Sequence, residues 1–78
     1  MNLYEVIWKD RFIEKLAAKH QVSIAEVEIV LFTRPYVRKA QRGRTKGEDL
    51  YAAYGKTDTG RHLIIFFIRK YESSALPI

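Results

Sequence analysis

Arg61-His62-Leu63-Ile64-Ile65-Phe66-Phe67-Ile68-Arg69 is the stretch on which the fold of this chain turns. Its six central residues are apolar without interruption, too few to span a bilayer. An unbroken apolar run of this length, bounded by charged residues, reads as a strand buried on both faces. It is expected to be the central strand of an antiparallel sheet.

The neighbouring segments fit that expectation. Thr57-Asp58-Thr59-Gly60 supplies a turn just before the run, with Gly60 suited to positive φ. Before the turn, Asp49 to Lys56 reads as a strand, with Leu50, Ala52 and Tyr54 on one side and Tyr51 and Ala53 on the other. Tyr36 to Ala40 is a further strand candidate. After the run, Ser73-Ser74 marks a turn, and Ala75-Leu76-Pro77-Ile78 resembles a strand just beginning. The first half is mainly helical. Tyr4 to Trp8 reads as a short strand, and Phe12, Ile13, Leu16 and Ala17 recur at helical spacing from about Asp10 to Lys19-His20. Ser23 and Glu26 form a capping box that opens a second helix over Ile24–Phe32, with Ile24, Val27, Val30 and Leu31 on one face. Pro35 ends it by disfavouring helical geometry at Arg34. The fold class is therefore α+β, a small antiparallel sheet with two N-terminal helices packed on it.

With 78 residues the chain makes one domain, residues 1–78, near the size where a single core barely suffices. It has no cysteine, so apolar burial must hold it together, and 47% hydrophobic residues supply that. No basic stretch followed by an apolar one opens the chain, so no signal peptide is read and a soluble, cytoplasmic protein is the default.

Charge is the other strong signal. Between Ile29 and Gly47 stand Arg34, Arg38, Lys39, Arg42, Arg44 and Lys46, with no acid. That local +6 exceeds the chain total of +5, so the basicity is a patch and not a general bias. Such a patch fits a polyanion, of which a phosphate backbone is the commonest, or an acidic protein. Glu48 and Asp49 follow immediately. Carboxylates at the edge of a phosphate site suit either binding or cutting of RNA.

Trp8, then Lys19-His20, then Val22-Ser23 opening a helix, then Gly47-Glu48, Gly55 and Gly60-Arg61 before an apolar strand form an ordered set. In that order and spacing the chain resembles the BrnT-type toxins over nearly its whole length. The resemblance implies a RelE-like fold and a bacterial type II toxin–antitoxin pair. It implies that the toxin is a metal-independent endoribonuclease, and that its partner is an antitoxin whose DNA-binding part represses the operon. The chain departs from the family in three places. Gln21 stands where the family usually has Gly, and Leu50 where many members have Arg. The family also continues past this point into a strand and a C-terminal helix, so the chain reads as truncated.

Cleaving RNA without a metal needs a base for the 2′-hydroxyl, cations around the crowded phosphorane and an acid for the leaving oxygen. General acid–base groups contribute about 10²–10⁴-fold, and preorganised cations usually the larger share. His20 is the proton carrier by intrinsic pKa, although it and Lys19 would equally suit a helix C-terminus. Glu48 is the candidate base beside the basic loop; an ion pair with Lys46 or Arg61 is the plainer reading. Arg61, entering the central strand from a turn, is the candidate phosphate clamp, since a guanidinium fork matches phosphate geometry. The catalytic candidates are thus His20, Glu48 and Arg61. Substrate-binding candidates are Lys19, Arg42, Arg44, Lys46 and Tyr51, the last by stacking a base. His62 more plainly faces solvent or a partner, and Trp8 belongs to the core. Two separated histidines and no clustered carboxylates offer no metal site. No Gly-x-Gly or Walker spacing implies a nucleotide cofactor.

Two readings follow. In one the chain is a toxin ribonuclease; in the other it is a catalytically inactive, toxin-like module that binds RNA or its antitoxin. Partners are then RNA and a cognate antitoxin, with no membrane, and with a dimer or hetero-oligomer left open.

Overall fold

The computed structural model describes residues 2–45 and 47–78. Its elements run β1 (Glu5–Val6), α1 (Asp10–Lys15), α2 (Ile24–Phe32), β2 (Tyr36–Gln41), β3 (Leu50–Lys56), β4 (His62–Lys70) and β5 (Ser74–Pro77). The five strands form one sheet in the order β1-β5-β4-β3-β2, so β4 is central as its apolar run requires. From β2 to β5 every pairing is antiparallel, but β1 lies parallel to β5 through Glu5↔Ser74 and Val6↔Ala75. The sheet is therefore mixed, and the expectation of a purely antiparallel one fails at this outer pair. A parallel pair needs a long connection, and everything between the two ends of the chain provides it. Ser74 Oγ fixes the pair further by donating to Glu5 Oε1 at 2.9 Å.

The helices cover one face only. In register, Tyr51↔Phe67, Ala53↔Ile65 and Gly55↔Leu63 turn toward them, while Ala52↔Phe66 and Tyr54↔Ile64 turn away. Val27, Val30, Leu31 and Phe67 are the largest fully buried side chains. Each contributes about 1.5–3 kcal/mol by leaving water. On the far face Ile64 remains 53% exposed and Phe66 44%, so β4 is not buried on both faces. The physical reason is supply. Two short helices can screen one side of five strands, and the other side stays open.

Local chemistry explains the helix ends. Ser23 Oγ accepts from the Glu26 N–H at 3.1 Å, and Glu26 Oε1 accepts from the Ser23 N–H at 3.0 Å, so the capping box forms. Val27, Val30 and Leu31 face inward from α2, but Ile24 sits outside the buried stripe. α1 buries Phe12, against which Trp8 packs at 6.0 Å between rings. Beyond Lys15 the helix widens into one π-helical turn, Leu16–His20, which buries Leu16 and stops at Gln21 with φ 51° and ψ 42°. That left-handed position favours glycine.

Gly55 lets α2 approach the sheet: a Cβ there would stand 2.9 Å from Val30 Cγ1. The apolar end of the chain is also accounted for. Ala75 and Pro77 are buried as β5 pairs with β4 on one side and β1 on the other.

Candidate nucleic-acid interface

The basic segment becomes β2 and the loop that joins it to β3. Lys39 lies opposite Tyr51, and a bulge between Lys39 and Gln41 then bends the strand into the loop. Asp49 gathers this loop. Its Oδ1 accepts from the Gly43 N–H at 2.7 Å, and its Oδ2 lies 2.9 Å from Lys39 Nζ. The Glu48 N–H donates to the Thr45 C=O at 3.1 Å. Gly43 is required here, because a Cβ would collide with the Glu48 carbonyl oxygen. These bonds hold the described loop residues, 42–45 and 47–49, as a hoop, with Arg42 and Arg44 exposed on it.

The electrostatics agree. The hydrogen bond from Lys39, together with that from the Gly43 N–H, holds the Asp49 carboxyl below its ordinary range. The same carboxylate raises the Lys39 ammonium above its own. Of the two acids beside the patch, Asp49 is thus the structural one. Glu48 is exposed at the base of the hoop.

Next to the hoop, Asp49, Tyr51, Arg69, Lys70, Tyr71 and Glu72 line a cleft of about 570 Å³ with Gly47 at its mouth. Tyr51 forms one wall, its ring stacked on Phe67 at 5.7 Å. Arg69 Nε donates to the Glu72 C=O at 2.7 Å, which fixes the guanidinium across the β4–β5 turn. That turn is strained, with Tyr71 at φ 51° and Glu72 at φ 67°. It leaves Tyr71 fully displayed at the rim, 87% exposed. Arg69, Lys70 and Tyr71 were not singled out from the sequence. The available signal was parity: Arg69 has the same facing as Phe67, and Phe67 pairs with Tyr51.

The sequence-derived candidates divide into two groups. Arg42, Arg44, Glu48 and Tyr51 share the hoop end of the sheet, while Lys46 lies outside the described residues. Lys19, His20 and Arg61 share the opposite end. β3 and β4 run from Leu50↔Ile68 to Lys56↔His62, six steps that separate the groups by about 20 Å. His20 and Arg61 therefore do not act on the same phosphate as Glu48, and the expected single catalytic cluster is not assembled.

Arg61 has another task. Its Nη1 donates to the Gln21 C=O at 3.0 Å and its Nη2 to the His20 C=O at 3.1 Å, with Glu26 Oε1 3.7 Å away. It satisfies the carbonyls at the end of the π turn, the role that sequence reasoning offered His20 and Lys19. Glu48 correspondingly has no pairing with Arg61, which lies at the other end. His20 and Lys19 stay exposed on that turn.

Among the described residues, no group of three His, Asp or Glu side chains is placed to hold a metal ion. No helix among them is long and apolar enough to cross a membrane. No family model, curated protein or solved structure matches this chain.

Proposed function

We propose that this chain is a toxin-like, RNA-binding member of a bacterial type II toxin–antitoxin pair, of the BrnT type and RelE-like in fold. It grips single-stranded RNA at the hoop end of its sheet. The observation that carries the reading is the juxtaposition of a clasped basic hoop with a cleft walled by Tyr51. Arg42 and Arg44 meet the phosphates, Arg69 and Lys70 extend that track across the cleft, and the Tyr51 and Tyr71 rings offer stacking surfaces for unpaired bases. The ordered residues from Trp8 to Gly60-Arg61 and the small α+β architecture support the toxin-like assignment. A cognate antitoxin with an acidic segment would cover the same basic surface.

Labelled single-stranded RNA should bind more tightly than a duplex of equal length. Tyr51→Ala should weaken the single-strand complex by about 1–3 kcal/mol if Tyr51 stacks a base. Equal affinity for the two forms would contradict the reading.

A second reading is favoured by the cleft itself, which sets Arg69 and Lys70 beside two phenols, with Glu48 between its lining residues Gly47 and Asp49 in the chain. There the protein is a metal-independent endoribonuclease, with Glu48 as base and the two cations stabilising the phosphorane. His20 and Arg61 have no part in it. Cleavage of RNA in EDTA, abolished by Glu48→Gln and Arg69→Ala, is its expected signature. RNA left intact after long incubation removes it.

A further inference from the structure

The cleft beside the hoop contains an acid that does not fit a plain phosphate track. All of the cleft's lining lies within residues 47–72, and Glu72 stands there with Arg69, Lys70, Tyr51 and Tyr71. The other carboxylate in the lining, Asp49, is fully engaged: one oxygen accepts from the Gly43 N–H and the other meets Lys39. Glu72 is exposed, and among the described residues its carboxylate has no hydrogen bond or ion pair. A free negative charge in this position repels a phosphate.

The backbone fixes where that acid stands. Arg69 Nε donates to the Glu72 C=O at 2.7 Å, and the Ser73 N–H donates to the Tyr71 C=O at 2.8 Å. Tyr71 at φ 51° and Glu72 at φ 67° both lie in the left-handed region, where glycine or asparagine is the unstrained choice. A tyrosine and a glutamate held there against that preference point to side chains that are used.

Resting on the RNA-binding function proposed above, we infer that the cleft selects guanine and that Glu72 reads the base. An unpaired base displays its Watson–Crick edge. A carboxylate brings only acceptors to that edge. Guanine alone sets two donors side by side there, N1–H and the N2 amino group. Adenine and cytosine each set an amino group beside a ring-nitrogen lone pair. Uracil sets one N–H between two carbonyls. Each of these three brings a lone pair against the carboxylate, and only guanine is accepted at both oxygens.

The rest of the cleft suits the same ligand. Its volume of about 570 Å³ falls in the range of about 300–1,000 Å³ that small-molecule sites occupy. Tyr51 and Tyr71 offer the stacking surfaces, which are indifferent to base identity. Arg69 and Lys70 stay with the phosphates on either side, so the one group that discriminates is the acid.

The test measures fluorescence anisotropy of the 78-residue chain with labelled UUGUU, UUAUU, UUCUU and UUUUU. UUGUU should bind tightest, by about tenfold. Inosine in place of the guanine, which keeps N1–H and lacks the N2 amino group, should bind with intermediate affinity. Glu72→Gln and Glu72→Gly should both lose most of the preference while binding UUUUU at least as well as before. Glu72→Gly should also melt no lower than the parent, because glycine suits the backbone at that position. Equal affinity for the four RNAs overturns the base selection and leaves the RNA-binding function standing. A guanine preference that survives in both variants overturns the role of Glu72. Failure of every RNA to bind overturns the RNA-binding function and the inference with it.

Discussion

The Asp49 carboxylate accepts a hydrogen bond from the backbone N–H of Gly43 at 2.7 Å, and this bond closes the basic hoop onto the sheet. Lys39 supports the same carboxylate from the neighbouring strand at 2.9 Å. A run of cations that would otherwise repel itself into an open loop is thereby held as a surface.

The clasp should tolerate a wide pH range. Asp49 titrates below its ordinary value, so its contribution is complete above about pH 4 and is lost as pH falls through the lower folded value. Lys39 titrates above its ordinary value, so its contribution is complete below about pH 10 and disappears only as pH rises through the higher folded value. The Gly43 amide resonance should thus stay constant from mildly acidic to mildly alkaline pH and move in strong acid. In Asp49→Asn that acid transition should be absent.

Arg61→Ala separates structure from substrate binding. The guanidinium donates to the His20 and Gln21 carbonyls, partly exposed, and its loss should cost about 1–2 kcal/mol of stability. RNA affinity, measured well below the melting temperature, should not change. A large affinity loss without destabilisation would return Arg61 to the binding surface.

Gly55 and Val30 should be energetically coupled. Gly55→Ala forces a methyl to 2.9 Å from Val30 Cγ1 in the fully buried core and should cost about 1–3 kcal/mol. In a Val30→Ala background most of that cost should vanish, which a double-mutant cycle of denaturant unfolding would show. Additive losses would mean that the close approach is not what constrains position 55.

Gln21→Gly should stabilise the protein by about 1 kcal/mol, because the left-handed backbone at φ 51° burdens a residue with a Cβ. For a domain this small the melting temperature should rise by about 4–8 °C.

These cases show which parts were legible in the sequence. The capping box at Ser23 and Glu26, the α2 span and the central position of β4 follow from local spacing, and local spacing is what periodicity reports. Parallel pairing of β1 with β5 is not legible that way, since Glu5 and Ser74 meet only through the completed fold. The exposure of Ile64 and Phe66 was missed for a related reason: an apolar run does not reveal how many helices are available to cover it. At the site, the basic segment was visible from charge alone. The division of His20 and Arg61 from Glu48 was not, because it depends on the register of β3 against β4. Asp49, one residue from the favoured Glu48, became the structural acid only when Gly43 and Lys39 came within reach of it.

The salt dependence of binding to single-stranded RNA tests the central claim most directly. If Arg42, Arg44, Arg69 and Lys70 each neutralise one phosphate, log affinity should fall against log salt concentration with a slope of about −3. The Arg42→Ala, Arg44→Ala double variant should reduce that slope to about −1.4, with the fold unchanged. A slope near zero, or one that the double variant leaves untouched, would contradict the hoop as the RNA-binding surface.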